Sequence, residues 1–292
     1  MAKLKTDPIQ QDDLTEFLAS YSDFSFELSV LKMLRENGIE CEHGGLYEDS
    51  ITGKSREFDI RAIKSIENYR VRLAIECNNV RDNFPVLISC IPRHEEESYH
   101  QVALVSEPRL EGQFSNYLGT KSRVKTISMR GEYSIYKPGD FVGKSIVQVG
   151  SILDGNIVAH DSELFDRLSQ CLSSANDLVS RIYCDGEEEE NKLYKSSIFP
   201  IVAIPNGRLW VVEYDYDGNK ISDPYQTDQC SCFVGRRYEM GSKITGKSIW
   251  LSHVEIMTYE GLNMFINNYL KTVTGISEIY PKDAILEYFQ RE

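Results

Sequence analysis

Two acidic residues, Asp59 and Glu76, stand in apolar stretches where an aliphatic side chain would pack more easily. The first stretch runs from Arg56 to Ile63 and reads REFDIRAI; the second runs from Val71 to Asn78 and reads VRLAIECN. A carboxylate taken out of water is costly unless something positive compensates it. A divalent metal ion would do so. Phosphodiester hydrolysis needs an activated water and a stabiliser of growing negative charge, and Mg²⁺ held by one or two carboxylates, a carbonyl and waters supplies both. Adjacent strands lie about 5 Å apart, so Asp59 and Glu76 can meet at one ion. Alternation puts Glu76 and Asn78 on one face, and likewise Asp59 and Arg61.

Several elements must position these groups. A helix is expected from about Asp23 to Asn37, with Ser22 or Asp23 at its start and Gly38 as a left-handed C-terminal cap. Phe24, Leu28, Leu31 and Leu34 form its apolar stripe, and Glu27 lies on that stripe one turn before Leu31. Strands are expected over 39–47, 57–64, 69–77 and 84–91, the last ended by Pro92. Periodicity is weak from 93 to 159, apart from strand-like pieces at 101–105 and 145–149, and the region reads as an insertion. A second helix is expected over 162–183, then a strand over 198–204. Pro205-Asn206-Gly207 signals a hairpin into 209–214. A strand over 248–258, helices over 261–271 and 283–290, and a short helical piece at 14–18 complete a single mixed α/β domain.

The chain has 292 residues, 41% of them hydrophobic, enough for a sizeable core. No apolar run is long enough to span a membrane, and the N-terminus lacks a secretory h-region. Seven unevenly spaced cysteines suit reduced thiols in the cytoplasm. A net charge of −13 counts against coating nucleic acid over a wide face. Residues 120–147, however, hold six bases, among them Lys121, Arg123 and Lys125, against two acids. That segment reads either as solvated strand edges or as a small positive patch. Cys230-x-Cys232 lacks the second ligand pair of a structural zinc site, and no nucleophile elbow or P-loop occurs.

Glu27 on a helix, Asp59 on the second strand and Glu76-x-Asn78 on the third resemble the pattern of the PD-(D/E)XK nuclease superfamily. The resemblance covers roughly 21–92 and 160–214. It implies a restriction-endonuclease-like core, a helix, three strands, a helix and a further strand forming a central mixed sheet flanked by helices, with an insertion at 93–159 and a C-terminal extension at 215–292. It also implies Mg²⁺ or Mn²⁺ held by Asp59, Glu76, the Cys77 carbonyl and Glu27. The implied activity is DNA cleavage, in a restriction or phage-defence setting. Asn78 departs from the family pattern, which usually has Lys there to position or polarise the attacking water. Arg61 is the nearest candidate replacement cation, although its delocalised charge is not equivalent to lysine's. Lys121, Arg123 and Lys125 would guide the DNA backbone. The rival expectations are a catalytically degenerate fold serving as a binding or assembly module, as a homo-oligomer or with a protein partner, and a plain α/β domain whose strand carboxylates pair with Arg61 or Arg72.

Overall fold

Three successive antiparallel strands carry the acidic positions. In a computed structural model, which describes residues 6–20, 22–49, 52–106, 123–151, 155–160, 162–187, 192–240 and 247–291, β1 (Glu40–Glu48), β2 (Ser55–Ile66) and β3 (Tyr69–Cys77) pair in order. Their bounds fall within two residues of those expected from alternation. The helix α2 (Phe24–Glu36) precedes them and ends at Gly38, whose φ of +65° is the left-handed conformation that glycine adopts without steric penalty. A shorter helix α1 (Gln11–Ser20) lies before it.

The remaining strands are β4 (Val86–Pro92), β5 (Tyr99–Ser106), β6 (Arg123–Arg130), β7 (Phe141–Ser151), β8 (Ile157–His160), β9 (Leu193–Ile204), β10 (Leu209–Glu213), β11 (Tyr225–Gln226), β12 (Gln229–Glu239) and β13 (Ser248–Thr258). All thirteen described strands belong to one mixed sheet, ordered β1-β2-β3-β9-β13-β12-β7-β4-β10-β11, with β5 and β6 joined at β9 and β8 at β7. The chain is therefore α/β, with a large mixed sheet flanked by helices.

Two expectations are corrected here. Residues 93–159 are not set apart from the core: β5 pairs with β9, and β7 pairs along the whole of β4. Pro205-Asn206-Gly207 does not close a hairpin, because β10 runs parallel to β4 and is not hydrogen-bonded to β9. The turn residues there redirect the chain across the sheet.

Helices cover both faces. On one, Val30, Leu31 and Leu34 of α2 pack with Leu73, Ile75 and Cys77 of β3 and with α4 (Tyr259–Phe265), α5 (Val273–Ile279) and α6 (Lys282–Arg291). On the other lies α3 (Ser162–Ser180). Its Leu164, Leu168, Cys171 and Leu172 cover Val202 and Ile204, and its Ala175, Leu178 and Val179 cover Ala74 and Ile198. Fully burying a side chain such as Leu31 or Leu168 contributes about 1.5–3 kcal/mol. Arg72, Ala74 and Glu76 thus point from β3 toward the α3 side, while Leu73, Ile75 and Cys77 point toward α2. No described helix is long and apolar enough to cross a membrane.

Candidate functional site

The β2–β3 ladder stops at Ile60↔Ile75. Beyond that point the backbone N–H of Cys77 donates to Asp59 Oδ2 at 2.7 Å, so a side chain takes the place of the strand pairing. This brings Asp59 to the end of β3, beside Glu76. Asp59 is 8% exposed and Glu76 is fully buried. No N–H or hydroxyl donor reaches either carboxylate oxygen of Glu76, whose neighbour is the Asp59 carboxyl. Burial, and then the charge of Asp59, push the Glu76 carboxyl from an ordinary 4.5 up to about 10. Burial also raises Asp59, opposed by the Cys77 N–H and by Arg167. A proton kept on Glu76 can be shared with Asp59, which is the usual outcome when two acids crowd one site.

Arg167 and its partners did not emerge from the sequence. Arg167 comes from α3; its Nη1 lies 4.0 Å from Asp59 Oδ2, and its Nη2 donates to Asp23 Oδ2. Asp23 stands at the start of α2 but does not cap that helix with its side chain. Its Oδ1 accepts instead from the Asn79 N–H at 2.7 Å, while Asn79 Nδ2 donates to the Ser22 carbonyl at 3.2 Å. The start of α2, the end of β3 and the first half of α3 are tied together over the carboxylate pair. A sequence signal for Arg167 did exist. It lies three residues after Leu164 and four before Cys171, on the apolar stripe of its helix, as Glu27 does on its own.

The expected residues divide into those the fold assembles and those it does not. Asp59 and Glu76 meet. Asn78 follows directly, 2% exposed, with its N–H on the Ala203 carbonyl at 2.9 Å and its Nδ2 without a partner. Cys77 turns its side chain into the α2-side core, where burial raises its thiol well above the usual value. Glu27 does not complete a ligand set. Its Oε2 lies 3.2 Å from His43 Nε2 on β1, although the charge of Asp59 still raises it after burial. Arg61 does not serve as the replacement cation. Its Nη1 donates to Asp177 Oδ2 at 2.7 Å and its Nε to Ser174 Oγ at 3.1 Å, both on α3. Its guanidinium also lies 4.1 Å over the Phe58 ring. Arg72 likewise pairs with Asp185 and not with the strand carboxylates. The reading in which Asp59 and Glu76 are neutralised by Arg61 or Arg72 is therefore overturned.

The basic residues lie elsewhere. Lys121 falls outside the described residues. Arg123 and Lys125 are on β6, where Lys125 pairs with Leu104 and Leu104 with Lys195. Lys195 and Tyr69 mark the opposite end of β3 from Cys77, roughly 25 Å away at the usual rise per residue.

Among the described residues no three His, Cys, Asp or Glu side chains are grouped to hold a metal ion. What the site offers is two carboxylates. Oxygen donors of this kind suit Mg²⁺ or Mn²⁺, which commonly take one or two protein carboxylates and keep their waters. The Glu76 oxygens, which no N–H or hydroxyl donor reaches, fit such an ion. Comparison with protein-family models, curated proteins and solved structures finds no match for the chain.

Proposed function

We propose that this chain is a restriction-endonuclease-like protein whose Asp59 and Glu76 hold a divalent cation, Mg²⁺ or Mn²⁺, for hydrolysis of DNA phosphodiester bonds. The observation that carries the reading is the Glu76 carboxylate, fully buried beside a second carboxylate with no N–H or hydroxyl donor on either oxygen. Two carboxyls crowded into one buried site hold a shared proton unless a cation takes its place. The order of elements supports it: α2, the antiparallel β1, β2 and β3, then α3 and a β9 parallel to β3 follow the succession that the superfamily's core has.

When bound, the ion would activate water and stabilise the charge that grows on the phosphate. The chain's own residues hold and orient. The Cys77 N–H fixes Asp59, and Arg167 brings to the acidic pair the positive charge that Asn78 lacks. Asp23 and Asn79 hold Arg167 in place. Glu76 is closed to solvent, so access to its oxygens requires its surroundings to open. A restriction or defence setting rests on the superfamily resemblance alone.

The test is cleavage of plasmid and oligonucleotide DNA in Mg²⁺ or Mn²⁺. Asp59→Asn and Glu76→Gln each abolish it while circular dichroism remains that of the native chain. Undiminished cleavage in both variants contradicts the proposal. A second reading, a fold that binds or assembles without catalysis, is favoured by the amide at 78 and by the closure over Glu76. Cleavage by the native chain refutes it, whereas activity gained only in Asn78→Lys identifies a dormant site.

A further inference from the structure

Away from the acidic pair the sheet opens between β7 and β12, which share a single ladder pair, Cys232↔Gly143. A Cβ on Gly143 would fall 2.5 Å from Cys232 Sγ, so even this one approach requires glycine. Beside it lies a cavity of about 340 Å³, walled by β4, β10, β11, β12 and β13, the turn before β7 and the start of β7 itself, and residues that follow β13. Part of that last wall is a five-residue π-helical turn, Ile266–Leu270, whose Tyr269 lines the cavity. Such turns are rare and occur frequently at functional sites.

Three carboxylates line this space: Asp140, which lies beside Arg93, and two others, Glu255 and Glu213. Glu255, 1% exposed, accepts from the Tyr136 hydroxyl at 2.8 Å, the Ser231 hydroxyl at 2.9 Å and Gln229 Nε2 at 3.0 Å. Glu213 accepts from the Tyr225 hydroxyl at 2.5 Å. All four donors are neutral, and neither Glu255 nor Glu213 forms an ion pair among the described residues. The arginine in the wall, Arg93, faces another wall residue, Asp140, and lies 5.3 Å from the centre of the Tyr136 ring. It donates to the Lys137 carbonyl at 3.0 Å and lies 3.9 Å from Asp140.

We infer that this cavity binds a small organic cation, an ammonium compound. Neutral donors orient Glu255 without cancelling its charge, and a buried charge is stabilised further by an opposite one. Phe141, Tyr225 and Tyr269 supply aromatic surface, whereas the Tyr136 ring is stacked on His253. Ring faces attract weakly hydrated ammonium groups and accept their carbon skeletons, whereas a small metal ion would keep its water and gain little from them. The cavity volume suits a ligand of this size, at the low end of the range for small-molecule sites. The neutral hydrogen bonds hold the carboxylate in place before the ligand arrives, which lowers the ordering cost of binding.

The test is calorimetric titration of the whole chain with choline, with putrescine and with the uncharged tert-butyl isostere of choline. The expected result is one ammonium per chain with a Kd below about 1 mM, no binding of the isostere, and a loss of affinity of about tenfold or more in Glu213→Gln. Glu255→Gln disturbs three buried hydrogen bonds, so the Glu213 variant carries the test. No heat from either ammonium up to roughly 10 mM, equal binding of the isostere, or unchanged affinity in Glu213→Gln overturns the inference.

Discussion

Arg72 and Glu76 point from the same strand toward the same helix, four residues apart, and the protein treats them in opposite ways. Arg72 Nη1 donates to Asp185 Oδ2 at 2.9 Å and to Ser196 Oγ at 2.6 Å, and its Nη2 also reaches Asp185. Asp185 is itself buried. Glu76 has no such counter-charge in contact, only the neighbouring Asp59 carboxyl. A fold that needed polar residues on β3 only for specificity would satisfy both ends. One end is closed by a complete ion pair, and the other keeps two carboxylates together with an arginine 4.0 Å from the nearer one. The first arrangement is structural. The second is destabilising on its own and makes sense as a place for a cation.

Breaking the paired end should have the largest effect. Asp185→Ala leaves the Arg72 guanidinium buried without its counter-charge, and the expected loss is about 3–5 kcal/mol. Chemical denaturation measures it, and a loss under about 1 kcal/mol would mean that the two ends do not differ.

Glu76→Gln should act in the opposite direction. The Glu76 carboxyl is raised from 4.5 to about 10. Below pH 4.5 both folded and unfolded chains carry the proton, and the site costs nothing in pH-linked stability. As pH rises toward 10 the unfolded chain ionises first, so wild-type stability falls over that window. At pH 7 the variant should be more stable by an amount on the order of 3 kcal/mol, with a flatter stability–pH profile. A parallel profile for the two proteins would show that Glu76 ionises freely.

Arg167→Ala removes the positive charge that opposes the rise of both acids. It should raise the carboxyls of Asp59 and Glu76 further and lower stability by about 1–2 kcal/mol. Carboxyl-detected NMR titration follows the two sites directly, and unchanged titration curves would place Arg167 outside the site. His43→Gln is milder. The His43 contact lowers the Glu27 carboxyl against burial, so its loss should raise Glu27 and change stability by less than about 1 kcal/mol. At the far end of the sheet, Lys125→Ala should alter stability by less than about 0.5 kcal/mol and leave the acidic pair untouched.

The sequence made the acidic end more legible than its surroundings. Alternation in 69–77 marked β3, and carboxylates in two apolar strands marked Asp59 and Glu76. Arg167 obeyed the same rule on α3, a charge on an apolar stripe, and was readable in principle. The Asp23–Asn79 contact was not. It joins residues 56 positions apart through a side chain that local rules assign to helix capping. The pairing of Arg61 with Asp177 was hidden for the same reason, since it needs α3 laid across β2. In the sheet, β9 begins at Leu193, before the apolar run from Ile198, because its early residues pair along β3 and β5. Ser196 also accepts from Arg72. β12 was missed because it opens with Gln-Cys-Ser-Cys, and its cysteines pack as small apolar groups. Tertiary pairing overrode composition in both cases.

The proposed cation-holding role of the Glu76 end is tested most directly by titrating Mn²⁺ calorimetrically into the native chain, Asp59→Asn and Glu76→Gln at constant pH. The expected result is one ion bound by the native chain and none by either variant, with all three folded. No heat from the native chain up to roughly 10 mM, or equal affinity in Glu76→Gln, would contradict it.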